Sequence, residues 1–190
     1  MINVGDICLI NATKGGLYSK AIRFFTGGQW THSATGFFFD RDRNVERILE
    51  ANLLVQVSDA SPTFDNPDIL YRVYRIVNVN AEAMAAAVEE LYDQSNGEMY
   101  GVFGIPWHIY RRGAELLGFD MRRAKNFFPG GKICSQLVFK ILERYTVYAQ
   151  DGVLAAALGN YRSGSVSPAD LEELCESLRK QLKIALVASR

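Results

Sequence analysis

Of the three cysteines in this 190-residue chain, Cys134 is the one placed where a thiol can become a nucleophile. It follows the turn Phe127-Phe128-Pro129-Gly130-Gly131-Lys132-Ile133 and opens an amphipathic helix carrying Leu137, Val138, Ile141 and Leu142 on one face. A cysteine in a first helical turn meets unpaired backbone N–H groups and the positive end of the helix dipole, and both favour thiolate over thiol. The same N–H groups can hold the oxyanion of a tetrahedral intermediate. The plainer reading makes Cys134 a small buried hydrophobe, since it shares the apolar face. Cys8, inside a short apolar strand, and Cys175, within a helical stripe, are read as core residues.

A thiolate nucleophile needs a base, and the chain has two histidines. His32 lies in Gly27-Gly28-Gln29-Trp30-Thr31-His32-Ser33-Ala34, at the mouth of a strand, where a side chain projects from a rigid edge. His108, in Ile105-Pro106-Trp107-His108, is expected to be a partly exposed residue in the first turn of a helix. An imidazole also needs a third group to fix its tautomer. Glu50, in Arg47-Ile48-Leu49-Glu50-Ala51-Asn52, falls on the next strand, where it can sit beside His32 across a ladder. Read singly, it is an ordinary solvent-facing strand residue.

The elements that must position these groups divide into two blocks. Strands are predicted over Asp6 to Ile10, Ser33 to Phe39, Val45 to Ala51, Leu53 to Val57 and Ile69 to Val77, with a short helical segment from Leu17 to Phe25 ending at Gly27-Gly28. Asn80 caps a predicted helix with apolar Met84, Ala87, Val88, Leu91 and Tyr92, stopped by Gly97. A second helix is expected from Pro106 to Gly118, a third from Cys134, and a last one opening with the capping sequence Ser167-Pro168-Ala169-Asp170. Strands followed by helices in blocks argue α+β with an antiparallel sheet. No linker, repeat or low-complexity tract divides residues 1–190, so one domain is expected.

Composition removes several function classes. Lys plus Arg and Asp plus Glu each number 21, so no global basic excess exists to hold a phosphate backbone, and nucleic acid is not expected as a partner. There is no GxGxxG, GxxxxGK[ST], CxxC or HExxH, so no cofactor or metal is expected. Three widely spaced cysteines fit a reducing compartment better than a disulfide scaffold. The start, MINVGDICLI, lacks the pattern of a secretory signal, and no apolar run reaches the ~20 residues of a membrane span. The expectation is a chain made in the cytoplasm, with delivery in a phage particle or by a secretion system as the route to any outside target.

Taken together, Gly5-Asp6-Ile7, Ser19-Lys20-Ala21-Ile22, Thr26-Gly27-Gly28, Thr31-His32-Ser33, Leu49-Glu50-Ala51, Ile133-Cys134-Ser135-Gln136-Leu137-Val138 and Ser167-Pro168-Ala169-Asp170-Leu171 form a series over residues 4 to 172. The series resembles the permuted NlpC/P60 superfamily, and within it the YiiX/YebB-like branch of papain-like cysteine hydrolases. The resemblance implies a circularly permuted papain-like fold, an antiparallel sheet or small barrel packed against helices. It also implies Cys134 as nucleophile, His32 as base and Glu50 as the residue that orients the imidazole. Gln136 stands where that family often has a glutamate, which alters the charge of the pocket.

The expected chemistry is acyl transfer to water from an amide, ester or thioester, with a peptidoglycan stem peptide as first substrate and lipid or protein acyl bonds behind. Two alternatives stand beside it: a thiol acyltransferase, and a non-catalytic structural or assembly module on the same fold, for example in a phage particle. A zinc site from Cys8, His32, Cys134 and Cys175 ranks third, because no ligand pair has the close spacing of structural sites.

Overall fold

The runs rich in Val, Ile, Leu and Phe pair into one antiparallel sheet in the computed structural model, which describes residues 1–12, 20, 23–24, 27–51, 54–98, 105–125 and 133–190. Its strands are β1 (Ile7–Ala12), β2 (His32–Asp40), β3 (Val45–Ala51), β4 (Val55–Asp59), β5 (Ile69–Ile76) and β6 (Ile184–Ser189). Their order is β4-β3-β2-β1-β5-β6, so β1 is central and β4 and β6 form the edges of an open sheet. Of the two forms expected, a sheet or a small barrel, the described strands form the open sheet. The helices are α1 (Ser61–Phe64), α2 (Ala81–Ser95), α3 (Ile105–Leu116), α4 (Cys134–Ala149), α5 (Gly152–Leu158) and α6 (Pro168–Lys180), with a 3₁₀ turn at Ser163–Ser165.

Both faces of β1 are covered, which explains its unbroken apolar run. Ile7 and Leu9 point into the main core with Leu49, Tyr74, Leu137 and Ile141, while Cys8 and Ile10 point into a smaller cluster with Ala34, Ile48 and Val73. The N-terminal segment crosses the sheet so closely that a Cβ on Gly36 would stand 1.9 Å from the Asn3 carbonyl oxygen. In the opening motif, Asp6 is buried and accepts two hydrogen bonds from the Arg75 guanidinium, at 2.8 and 2.7 Å.

Helix boundaries follow the capping chemistry. Asn80 accepts from the Ala83 N–H at 3.1 Å to start α2, and Gly97, at φ +77°, lies just beyond its end. Ser167 and Asp170 form the reciprocal capping box at the start of α6. Asp170 is also buried against Arg111 of α3, which donates to both carboxylate oxygens at 2.6 and 2.7 Å and to the Ser165 carbonyl at 2.6 Å. One carboxylate thus ties a helix cap, a 3₁₀ turn and a second helix together.

The observed elements differ from expectation in three respects. β4 runs two residues past its predicted end, to Asp59, while Leu53, its predicted first residue, lies outside the described residues; Val55 pairs with the Gly97 N–H and the Glu98 carbonyl. β6 was not predicted: Ile184–Ser189 is a short run without turn residues, and it completes the sheet on β5 after the helical block. α1 and α5 were also missed, being one and two turns long. Most of the predicted segment Leu17 to Phe25 lies outside the described residues, as do Ser19, Ala21, Ile22 and Thr26 of the motif series and the Gly130-Gly131 turn.

Removing the Asp170 carboxylate leaves Arg111 buried and uncompensated. Asp170→Ala is expected to destabilise the fold by about 3–5 kcal/mol, measured as a shift in the denaturant midpoint. An unchanged midpoint would show that the fork contributes nothing to the packing of α3.

Candidate active site

His32 is the first residue of β2, and Glu50 lies near the end of β3. Glu50 is directly opposite Ala34 in the ladder, and His32, two residues before Ala34, shares that face. The two side chains are therefore diagonal neighbours across the strands, and Glu50 Oε2 lies 2.8 Å from His32 Nε2. Glu50 is shielded from water, and its carboxyl group stays below its ordinary range: burial works against the charge, but hydrogen bonds from His32, Ser58 and Gln56 outweigh it. Ser58 and Gln56 belong to β4, where Gln56 is the direct partner of Glu50. Neither was predicted, although two polar residues at alternate positions opposite a strand carboxylate are a readable signal.

Cys134 is the first residue of α4, only 2% exposed, and packed in the main core. Ile133 occupies the N-cap without a capping side chain, and its carbonyl accepts from Gln136 and Leu137 at 3.0 and 3.1 Å. The helix thus begins at the cysteine itself, against the start of β2. Among the described residues, His32 acts on the sulfur through its charge and a hydrogen bond, and the backbone N–H of Ser33 also favours its charge. The Ser33 hydroxyl is buried and has no hydrogen-bond partner among the described residues. Ser33 was not singled out as a site residue; its place on the strand, one step from the histidine and on the opposite face, aims it at α4.

The electrostatic outcome separates the three thiols. Burial pushes Cys8 and Cys175 far above the ordinary thiol range, with nearby carboxylates adding to the effect. Burial pushes Cys134 the same way, yet the His32 charge, its hydrogen bond and the Ser33 backbone N–H bring the thiol down to about 7. Burial would likewise keep His32 neutral, but Cys134 and then Glu50 hold its proton, and the imidazole is pushed up to about 10. Both shifts run in the direction that favours a thiolate facing an imidazolium. The His32–Glu50 side of the arrangement borders an open groove of about 630 Å³ that also touches Ile10, Thr31 and Pro62.

His108 is a correction. It was expected at the surface, and it is buried on α3 next to Arg111 and Asp170. Burial, reinforced by the Arg111 charge, lowers its imidazole to about 4, so it is neutral at physiological pH and unsuited to act as a second base. Gln136 is explained by its partner: its amide donates to the Gly164 carbonyl at 2.9 Å, beside Ser135, whose hydroxyl donates to the Val166 carbonyl at 2.7 Å. A carboxylate could not make the first of these bonds. Of the mid-chain aromatics, Trp107 is fully buried and Tyr110 exposed, whereas Tyr100, Phe127 and Phe128 lie outside the described residues.

The four-ligand zinc alternative does not match the geometry. Cys8 belongs to the small cluster on one face of the sheet and Cys134 and Cys175 to the core on the other. Among the described residues, no group of three or more His, Cys, Asp or Glu is arranged to hold a metal ion. No described helix is long and apolar enough to cross a membrane.

No family model matches this chain, and no curated protein does. Among solved structures, the crystal structure of metalloprotein yiiX from Escherichia coli O157:H7 (DUF1105) superposes with a TM-score of 0.56, covering 100% of this chain and 98% of that chain at 14% identity. The likeness extends over the whole molecule and establishes a YiiX-like α+β fold.

The arrangement makes a direct prediction for thiol ionisation. Thiolate ultraviolet absorbance, taken as the difference between the protein and its Cys134→Ser variant, should rise through a midpoint near pH 7, below the ~8.5 of a free cysteine. In His32→Ala the midpoint should move above that of free cysteine, because burial then acts unopposed. A midpoint that is the same in both proteins would sink the ion pair.

Proposed function

We propose that this protein is a cysteine hydrolase that cleaves an amide bond, or an ester or thioester, through an acyl-enzyme on Cys134. The single observation that carries the reading is geometric: a buried thiol at the first residue of a helix lies against an imidazole that Glu50 holds at 2.8 Å, a contact that draws the thiol below its ordinary range. Structural cysteines in apolar surroundings shift the other way, as Cys8 and Cys175 do.

The chemistry follows from where each proton sits. The Cys134 thiolate attacks the carbonyl carbon and forms a C–S bond, while negative charge moves to the carbonyl oxygen. The backbone N–H of Cys134, at the positive end of α4, is placed to stabilise that oxyanion. Collapse breaks the bond to the leaving group, and the His32 imidazolium gives its proton to the departing nitrogen, oxygen or sulfur. With Nε2 engaged by Glu50, the ring nitrogen left for this transfer is Nδ1. The neutral imidazole then takes a proton from water, hydroxide adds to the thioester, and the C–S bond breaks. The acid leaves and the ion pair is restored. Glu50 acts through the imidazole, fixing its tautomer and stabilising its charge.

The resemblance to the permuted NlpC/P60 superfamily makes a peptidoglycan stem peptide the first substrate, with protein or lipid acyl groups next. A transferase would differ only in the nucleophile that resolves the thioester. YiiX is described as a metalloprotein; the described residues here do not form a three-ligand set, and no step above runs through a metal.

Steady-state turnover of purified stem peptides and of p-nitrophenyl acyl esters tests the reading. Cys134→Ala should abolish turnover with an unchanged circular dichroism spectrum. Glu50→Gln should lower kcat by up to roughly 10⁴-fold, the loss when an amide replaces the carboxylate that fixes a triad imidazole's tautomer, and leave KM little changed. Full activity in Cys134→Ala against every substrate that the protein turns over would exclude this chemistry.

A further inference from the structure

The Ser33 side chain is wholly buried, yet among the described residues its hydroxyl meets no hydrogen-bond partner. An unpaired buried hydroxyl works against folding, and such groups are scarce in folded proteins. Other hydroxyls near the site are spoken for. Thr31 Oγ1 donates to the Ile10 carbonyl at 3.3 Å, and Ser135 Oγ on α4 to the Val166 carbonyl at 2.7 Å. The strand register shows where the Ser33 hydroxyl looks. Ser33 stands directly opposite Leu9 of β1, and Leu9 lies in the main core that also contains Cys134. Directly opposed residues share a face, so Ser33 projects to the side of the sheet on which α4 packs.

The backbone N–H of the same residue already acts on the Cys134 sulfur. Only the Cα and Cβ atoms separate that nitrogen from Oγ, and rotation about χ1 and the C–O bond can swing the hydroxyl proton toward the sulfur. A neutral thiol is a weak acceptor and leaves such a hydroxyl unpaired, whereas a thiolate is a strong one. We propose that the Ser33 hydroxyl is a donor held in reserve for the ionised nucleophile: it turns onto the Cys134 sulfur when the thiol proton has passed to His32, and releases it when the sulfur is acylated. No bond to Ser33 is made or broken at any step. Glu50 secures the imidazole, and Ser33 secures the sulfur that faces it. The inference rests on the hydrolase reading of Cys134 and adds a residue to it.

Ser33→Ala tests it through two readouts that need no substrate. Thiolate absorbance of Cys134 should titrate about one pH unit higher than in the parent, the shift expected when a charged hydrogen bond is lost. At about pH 5, where the thiol is neutral in both proteins, the denaturant midpoint of the variant should be no lower than the parent's, because the change removes an unpaired hydroxyl. With an acyl ester as substrate, turnover at about pH 6 should fall about tenfold and recover as the pH approaches about 9, following the thiolate fraction. An unmoved ionisation midpoint overturns the proposal. A loss of stability at the acid pH overturns it too, since it would give the hydroxyl a structural partner. So does a lower turnover at every pH with the midpoint unmoved, which would assign the hydroxyl to the oxyanion instead. Failure of the hydrolase reading itself would show elsewhere, as turnover retained in Cys134→Ala.

Discussion

A sulfur that is 2% exposed can carry a negative charge only if a cation and hydrogen-bond donors replace the water it has lost. In this protein the cation comes from the first residue of β2 and the sulfur from the first residue of α4. Most of what surrounds them can be understood as holding those two chain ends in register. The sheet fixes the strand end: Ile10 is the direct partner of His32, and the Thr31 N–H donates to the Ile10 carbonyl at 3.0 Å. Glu50 then fixes the ring, and it is itself held by Ser58 and Gln56 from the next strand. Three strands thus contribute to the position of one imidazole.

The helix end is fixed differently. Nothing caps α4 with a side chain, so its first turn is anchored from the side. The Ser135 hydroxyl and the Gln136 amide reach the Val166 and Gly164 carbonyls, and the Ser165 carbonyl between them is taken by Arg111. Arg111 is in turn neutralised by Asp170, the residue that closes the Ser167 capping box. The turn at residues 163–167 is therefore a clamp between the nucleophile helix and α6. This gives the two late motifs, the cysteine-serine-glutamine run and the serine-proline opening of α6, one shared structural purpose. A buried ion pair of this kind is weak evidence for stability and better evidence for specificity, since its partners must meet for the clamp to close.

How far all this could be read in the sequence depended on whether the signal was local. Capping residues, the periodicity of α2 and α4 and the strands of the first third are local signals, and they placed these elements within a residue or two. Cys134, His32 and Glu50 could be named because each sits at an element boundary or next to a paired strand, where position constrains direction. Ser33 escaped notice because its importance lies in the opposite face from its neighbour, a fact of register. β6 escaped because a strand at the far end of the chain pairs by a non-local contact that no flanking turn announces. His108 was misplaced for a third reason. It was read from its place in a first helical turn alone, which does not say which face of the helix turns inward.

The choice of face has a cause in the fold. Arg111 can reach Asp170 and the Ser165 carbonyl only if the face of α3 that carries it turns toward α6, and on a helix the residues at i−3 and i−4 turn with it. Those residues are His108 and Trp107. The opposite stripe, from Ile109 to Leu117, is then rotated outward by geometry, whatever its hydropathy. The clamp that locates Cys134 and the exposed apolar face of α3 are for this reason two consequences of one arginine. The fork onto Asp170 and the bond to the Ser165 carbonyl fix the helix in this orientation. Natural selection retains such a conflict between local pattern and global fold at functional sites more readily than elsewhere.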